Sequence, residues 1–191
     1  RDHKNRLLSK LLDTNAGTVL VFSRTKYGAK KVCRVVRGLG HSAAEIHSNL
    51  SLSQRRRSLA GFKSGIYRVL VATDIASRGI DVINIGLVIN YDLPDNLDDY
   101  VHRVGRTGRA GRDGQAISFI TPDERGKIRI IERLVRQTLT VSPLPVLPVI
   151  AQEAAASSRH TPWSRSSHQP NARRLQKRTP ARHQRSMRVH T

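Results

Sequence analysis

Residues 67–81 read YRVLVATDIASRGID, from Tyr67 to Asp81. Up to Ala72 the residues are largely apolar and β-branched without polar alternation, the mark of a strand covered on both faces. From Thr73 onward the character changes to hydroxyls, carboxylates and an arginine: Thr73, Asp74, Ser77, Arg78 and Asp81, with Gly79 among them. A buried strand that runs into a polar loop predicts a strand–loop–helix unit of an α/β domain. In such sheets ligands gather beyond the carboxyl ends of the strands.

The same pattern repeats outward from this stretch. Residues 18–23 (TVLVFS) and 87–91 (LVINY) are further apolar runs fit for buried strands, and 43–46 and 115–120 (QAISFI) predict two more. Between them the apolar spacing turns helical. Val32, Val36 and Leu39 recur between Lys26 and the glycine stop at Gly38-Leu39-Gly40. Ser51 or Ser53 caps a helix carrying Leu59 and Phe62 that ends at Gly65. Asp95 or Asn96 opens a short helix through Val101 and Val104, and a last helix runs from Asp123 to about Gln137 with Ile128, Ile131, Leu134 and Val135. Strand and helix alternate over residues 17–139, which predicts a three-layer α/β domain: a parallel sheet with helices on both faces.

The chain has 191 residues, and its 34 Lys+Arg against 14 Asp+Glu leave a net charge of +20. That balance points to a polyanionic partner. One cysteine, Cys33, excludes a disulfide framework or a cysteine-rich zinc module, and its helical setting predicts packing rather than reactivity. No apolar run approaches the ~18 residues that span a bilayer, and no secretory pattern opens the chain. A reducing cytoplasm is the expectation. The first residue is Arg1 rather than Met, as expected for part of a longer protein.

The charge is unevenly distributed. Residues 151–191 hold nine Lys+Arg and one acidic residue, with no Phe or Tyr and a single Trp163. Such a segment cannot bury enough surface to offset the entropy of ordering. The expected organisation is a folded domain over 1–142, then a hinge at Pro143, Pro145 and Pro148 leading into a disordered basic tail, together 143–191. The tail either adds non-specific RNA affinity through counterion release or is a read-through end with no selected role.

Two loops invite chemistry. Residues 102–112 (HRVGRTGRAGR) place an arginine at every third position with glycines between them. Glycines weaken a helix by about 1 kcal/mol each relative to alanine, so a plain solvated helix is a poor account of them. A glycine-rich turn instead lets backbone and guanidinium forks approach phosphate oxygens closely. In the other loop, Thr73 can donate to a phosphate and Asp81 can accept from ribose hydroxyls, although the same residue types also serve ordinary turns. The chain has no G-x-x-x-x-G-K-[ST], since Gly126-Lys127 is followed by Ile128, and no Asp-Glu-x-Asp tetrad. It carries arginines for a nucleotide but no cradle for one.

These residues resemble a known family. Residues 72–81 (ATDIASRGID) are similar to motif V, residues 102–111 (HRVGRTGRAG) to motif VI and residues 18–26 (TVLVFSRTK) to motif IV of DEAD-box RNA helicases. The resemblance runs from about residue 4 to 140. The stretches IHSNLS, GFKSGIYRVLVATDIASRGIDV and NYDLPDNLDDYVHRVGRTGRAG look most like its bacterial RhlE-type branch. It implies a C-terminal RecA-like domain, the second lobe of a two-lobed ATP-dependent enzyme. On that resemblance Arg106 and Arg109 would reach the γ-phosphate of ATP held, with its Mg²⁺, by an N-terminal lobe absent from this chain. Asp81 would contact the ribose, and Gly79 would allow the loop's close approach. Thr73 and Arg55 would grip the RNA backbone. His102 would couple the two lobes, and Arg103, in the same motif, would support that coupling structurally.

One departure concerns the family's Gln-x-x-Arg, whose arginine lies seven residues before a helix-ending Phe. Counting back from Phe62 gives Arg55, with Leu52 where the glutamine belongs; Gln54-x-x-Arg57 is out of register. Arg56 and Arg57 either assist electrostatically or form a solvated face. No metal ligands are expected: His41 and His47 lack ligand spacing, and Asp98-Asp99 suit a helix start. Two other classes compete with the helicase lobe. One is a non-catalytic basic RNA-binding module, and the weaker one is a general chromatin- or ribosome-type basic protein.

Overall fold

The computed structural model describes residues 2–77, 82, 85–108 and 113–142. In chain order these form α1 (Asp2–Thr14), β1 (Val19–Phe22), α2 (Lys26–Gly38), β2 (Ala43–Ile46), α3 (Leu52–Lys63), β3 (Val69–Ala72), a single turn α4 (Asp74–Ser77), β4 (Leu87–Asn90), α5 (Asp98–Val104) and β5 (Gln115–Ser118). A 3₁₀ turn (Pro122–Glu124) and α6 (Gly126–Val135) follow.

The five strands make one parallel sheet in the order β2-β3-β1-β4-β5, with Val19 opposite both Val69 and Leu87. Side chains two apart share a sheet face, and the two faces are covered separately. Val19, Val21, Val69, Val71, Leu87 and Ile89 pack against Leu8 and Leu12 of α1 and Ala29, Val32, Cys33 and Val36 of α2. Leu20, Phe22, Leu70, Ala72 and Val88 pack against Phe62 of α3 and Ala76 of α4. The three-layer α/β arrangement expected from the alternation is therefore present. A smaller cluster of Leu93, Tyr100 and Ile131 joins α5 to α6.

Local chemistry sets the element ends. Ser51, not Ser53, caps α3: its hydroxyl accepts from Gln54 N and the Gln54 side chain accepts from Ser51 N, a reciprocal pair. Asn96 Oδ1 accepts from Asp98 N at 3.0 Å, so α5 begins two residues later than Asn96. The last helix is preceded by a 3₁₀ turn that Pro122 opens at its first position, where a continuous helix from Asp123 was expected. The alternation reading began at residue 17 and passed over α1, whose buried Leu8 and Leu12 are four apart.

The chain leaves β1 toward β2 but leaves β4 toward β5, in opposite directions across the sheet. The crevice opened by that reversal lies at the carboxyl ends of β1 and β4. The expected hinge and tail, 143–191, lie outside the described residues.

Candidate functional site

The carboxyl edge of the sheet is organised around Arg103, a fully buried arginine on α5 with 1% exposure. Its Nε and Nη2 donate to Asp74 Oδ1 and Oδ2 at 2.5 and 2.6 Å. Nη1 donates to Asn90 Oδ1 at 3.1 Å and to the Asp92 carbonyl at 2.7 Å. The guanidinium also stacks 4.9 Å from the Phe22 ring centroid. One side chain thus ties α4, the end of β4, the loop after β4 and the end of β1 to α5. A guanidinium suits this task because its planar fork meets a carboxylate with two parallel bonds and still has donors left over.

Asp92 occupies the crevice between β1 and β4. Its Oδ2 accepts from Ser23 Oγ at 3.0 Å and from Arg24 N at 3.3 Å, and its Oδ1 pairs with Lys4 Nζ at 3.2 Å. Burial alone would raise the carboxyl pKa; the Arg24 N–H, the Lys4 ammonium and the Ser23 hydroxyl outweigh it and hold the pKa below the usual value. Lys4 Nζ also donates to the Tyr91 carbonyl at 2.8 Å, which anchors α1 to the same loop.

The arginine-rich loop grows directly out of α5. Gly105 N donates to Val101 O, Arg106 N to Arg103 O and Thr107 N to Val104 O, so the helix tightens into turns that carry Arg106, which is half-buried. Thr107 Oγ1 donates to the Ile85 carbonyl. Gly108 then turns the chain with φ +67°, a conformation that favours glycine. Gly114, just before β5, lies so close that a Cβ there would overlap the Gly108 backbone and Thr107 Oγ1. Arg106 therefore stands on a backbone pinned from both sides. His102 is exposed on α5. A pinned cationic loop beside a ligand crevice can stabilise developing negative charge without reorganising.

Thr73 and Arg55 come to the same edge. Thr73 follows β3 with 9% exposure, its N–H donating to the Ile46 carbonyl at 3.2 Å and its carbonyl accepting from Ala76 N at 3.1 Å. Arg55, half-buried on α3, points Nη2 at the Ala76 carbonyl at 3.4 Å. Gln54 is taken up by the α3 cap, while Leu52 is 61% exposed. Of the other expected site residues, Gly79, Asp81 and Arg109 lie outside the described residues.

The frame around Arg103 was partly missed from the sequence. Asp74 belongs to the quoted loop, but Asn90 and Asp92 were not singled out. Asn90 did carry a signal, being the one amide in the otherwise apolar strand LVIN and fully buried. His41 is held by Arg68 Nη1 at 2.9 Å, and His47 is buried with its Nε2 3.7 Å from Glu45 Oε2 and neither ring nitrogen hydrogen-bonded to a described residue. No cluster of three or more potential metal ligands occurs among the described residues. None of their helices is long and apolar enough to cross a membrane.

Residues 3–111 match the family model described as the helicase conserved C-terminal domain. The RNA helicase CrhR of Synechocystis sp. is 45% identical over 128 residues, which cover 67% of this chain and 26% of that protein. The ATP-dependent RNA helicase DeaD of Mycobacterium tuberculosis is 42% identical over 138 residues, 72% of this chain and 24% of that protein. The chain therefore spans about a quarter of the length of these curated relatives. Among solved structures, the E. coli DEAD-box protein SrmB, bound to the regulator of ribonuclease activity A, superposes with a TM-score of 0.70 at 31% identity. That match covers 74% of this chain and 84% of that one.

Proposed function

The chain belongs to the helicase conserved C-terminal domain family, among DEAD-box proteins, and on that premise we propose that it is the second lobe of an ATP-dependent RNA helicase. The observation that carries this reading is the pinned Arg106 loop, joined through Arg103 and Asp74 to the end of β3 in a chain that has no phosphate loop of its own. The residues fit half of a nucleotide site: they bring positive charge to a phosphate but have no cradle to hold one.

In this reading Arg106 and Arg109 face the γ-phosphate of ATP bound with Mg²⁺ on an N-terminal RecA-like lobe, and Asp81 and Gly79 face its ribose. Bound ATP supplies the free energy of phosphoryl transfer. Arg106 stabilises charge as it develops, and Arg103 keeps the Arg106 turn in register with the crevice. Thr73 and Arg55 hold the RNA sugar-phosphate backbone from the same edge. Because α4 lies between Thr73 and Arg103, the RNA grip and the arginine loop share one frame, and His102 passes lobe closure to it. Closure strains the bound strand locally and opens short duplexes. The folded domain is 1–142, with 143–191 a basic extension, and the work is cytoplasmic. Residues 46–51 (IHSNLS) and 90–111 (NYDLPDNLDDYVHRVGRTGRAG) support the bacterial RhlE-type branch.

The test uses the complete two-lobed enzyme. Arg106→Ala should lower ATP turnover by about 10³-fold or more while sparing RNA affinity, and Arg55→Ala should do the reverse. Equal loss of both activities in both variants contradicts the division of labour. A second reading, a non-catalytic basic RNA-binding module, is favoured by the missing phosphate loop in this chain. It predicts that adding an N-terminal lobe restores no ATPase.

A further inference from the structure

The last helix, α6, and the segment after it carry a basic groove that the reading above does not use. Arg129, Glu132, Arg133, Arg136, Gln137 and Thr138 line an open groove of about 470 Å³ along α6 and the segment after it. Arg129 and Arg133 are four apart and share one helical stripe, and Arg136 stands at the C-cap three residues further on. All are exposed, and none forms an ion pair with a described residue. Glu132 is already engaged: its Oε1 accepts from Leu139 N at 3.0 Å and so shapes the wall of the groove.

Two features indicate that the helix itself does not need these charges. Cations suit a helix C-terminus, where they offset its negative end, which accounts for Arg133 and Arg136. It does not account for Arg129, in the N-terminal half of α6. Arg136 also ends the helix in the left-handed region, at φ +52°, the only non-glycine residue with positive φ among those described. Glycine or asparagine ordinarily takes that position. A strained arginine kept at the mouth of a groove is better explained by what it holds than by what it stabilises.

We propose that this α6 groove binds the phosphodiester backbone of single-stranded RNA, as a second contact separate from Thr73 and Arg55. Three guanidinium forks lining one groove suit successive phosphates, with Gln137 and Thr138 as neutral donors beside them. The net +20 of the chain favours an anionic strand as occupant. The proposal rests on the RNA-binding reading above, and its test separates the two.

The 191-residue chain is titrated with a fluorescent oligouridylate across a range of salt concentrations. Arg129→Ala/Arg133→Ala/Arg136→Ala should lower the slope of log K against log salt by about 2, as expected for three phosphate contacts on a single strand. The charge-matched Lys30→Ala/Lys31→Ala/Arg34→Ala, on exposed positions of α2, should leave the slope near that of the unaltered chain. Arg136→Gly should weaken binding while Tm stays equal or rises, because glycine relieves the left-handed strain. Equal losses from the groove and control triples overturn the proposal in favour of generic charge. No loss from the groove triple, with loss from Arg55→Ala, overturns the groove alone. No binding by the unaltered chain overturns both readings.

Discussion

Removing the Arg103 guanidinium should destabilise the domain out of proportion to one side chain. Arg103→Met keeps most of the volume and deletes four hydrogen bonds, at 2.5, 2.6, 2.7 and 3.1 Å. It strands Asn90 Oδ1 in a fully buried position and removes the guanidinium paired with the Asp74 carboxylate. Breaking a buried ion pair from one side costs about 3–5 kcal/mol. Asp74 is 22% exposed, so water screens part of that loss, and the lower end, about 3 kcal/mol, is the expected value. Arg103→Lys should cost less, about 1–2 kcal/mol, because an ammonium keeps the charge but cannot make the paired fork and also reach Asn90. Arg103→Met/Asp74→Leu removes both charges and should recover much of the single-mutant loss, since apolar replacement of a buried pair is often neutral. The assay is urea unfolding of the chain followed by circular dichroism, read as a double-mutant cycle. A cost below about 1 kcal/mol for Arg103→Met, or additive losses in the double variant, would refute the claim that this pair holds the frame.

Two further expectations concern titratable groups. Burial raises the Cys33 thiol pKa to about 11, outweighing the neighbouring Arg37, so the folded protein should resist iodoacetamide near pH 8 and react only after unfolding; prompt labelling of the native state would contradict its burial. The folded Asp92 pKa is lowered, so its stabilisation is present above the unfolded carboxylate pKa of about 4 and is lost as pH falls through the folded value. Unfolding free energy measured against pH should therefore fall less steeply below about pH 4 in Asp92→Asn than in the parent, and identical slopes would show that the Arg24, Ser23 and Lys4 contacts do not favour the ionised form.

The sheet was legible because its central strands β1, β3 and β4 are buried at every residue: runs such as VLVF and VLVA leave no exposed face and admit few other readings. The α2 and α3 boundaries followed from glycine stops and a serine cap. α1 was less visible, because its polar composition hides two core leucines that matter only once the sheet is there to receive them. The same applies to the site. The spacing of arginines and glycines marks a phosphate-seeking loop, but nothing local distinguishes Arg103, buried and structural, from the half-buried Arg106 three residues on. That difference arises from Asn90, Asp92 and Asp74, which approach α5 only through the parallel order of the sheet. Gln54 offers the reverse lesson: the sequence offered it as an out-of-register motif residue, and the fold uses it to close the cap on Ser51.

The central claim, that this domain supplies arginines to a nucleotide it cannot itself hold, is tested most directly by RNA-stimulated ATPase. The chain should be assayed alone and then joined to an N-terminal RecA-like lobe from a DEAD-box relative. No hydrolysis above background by the chain alone, and RNA-dependent turnover in the joined protein that Arg106→Ala abolishes, is the predicted result. Robust hydrolysis by the isolated chain, or turnover in the joined protein indifferent to Arg106→Ala, would contradict it.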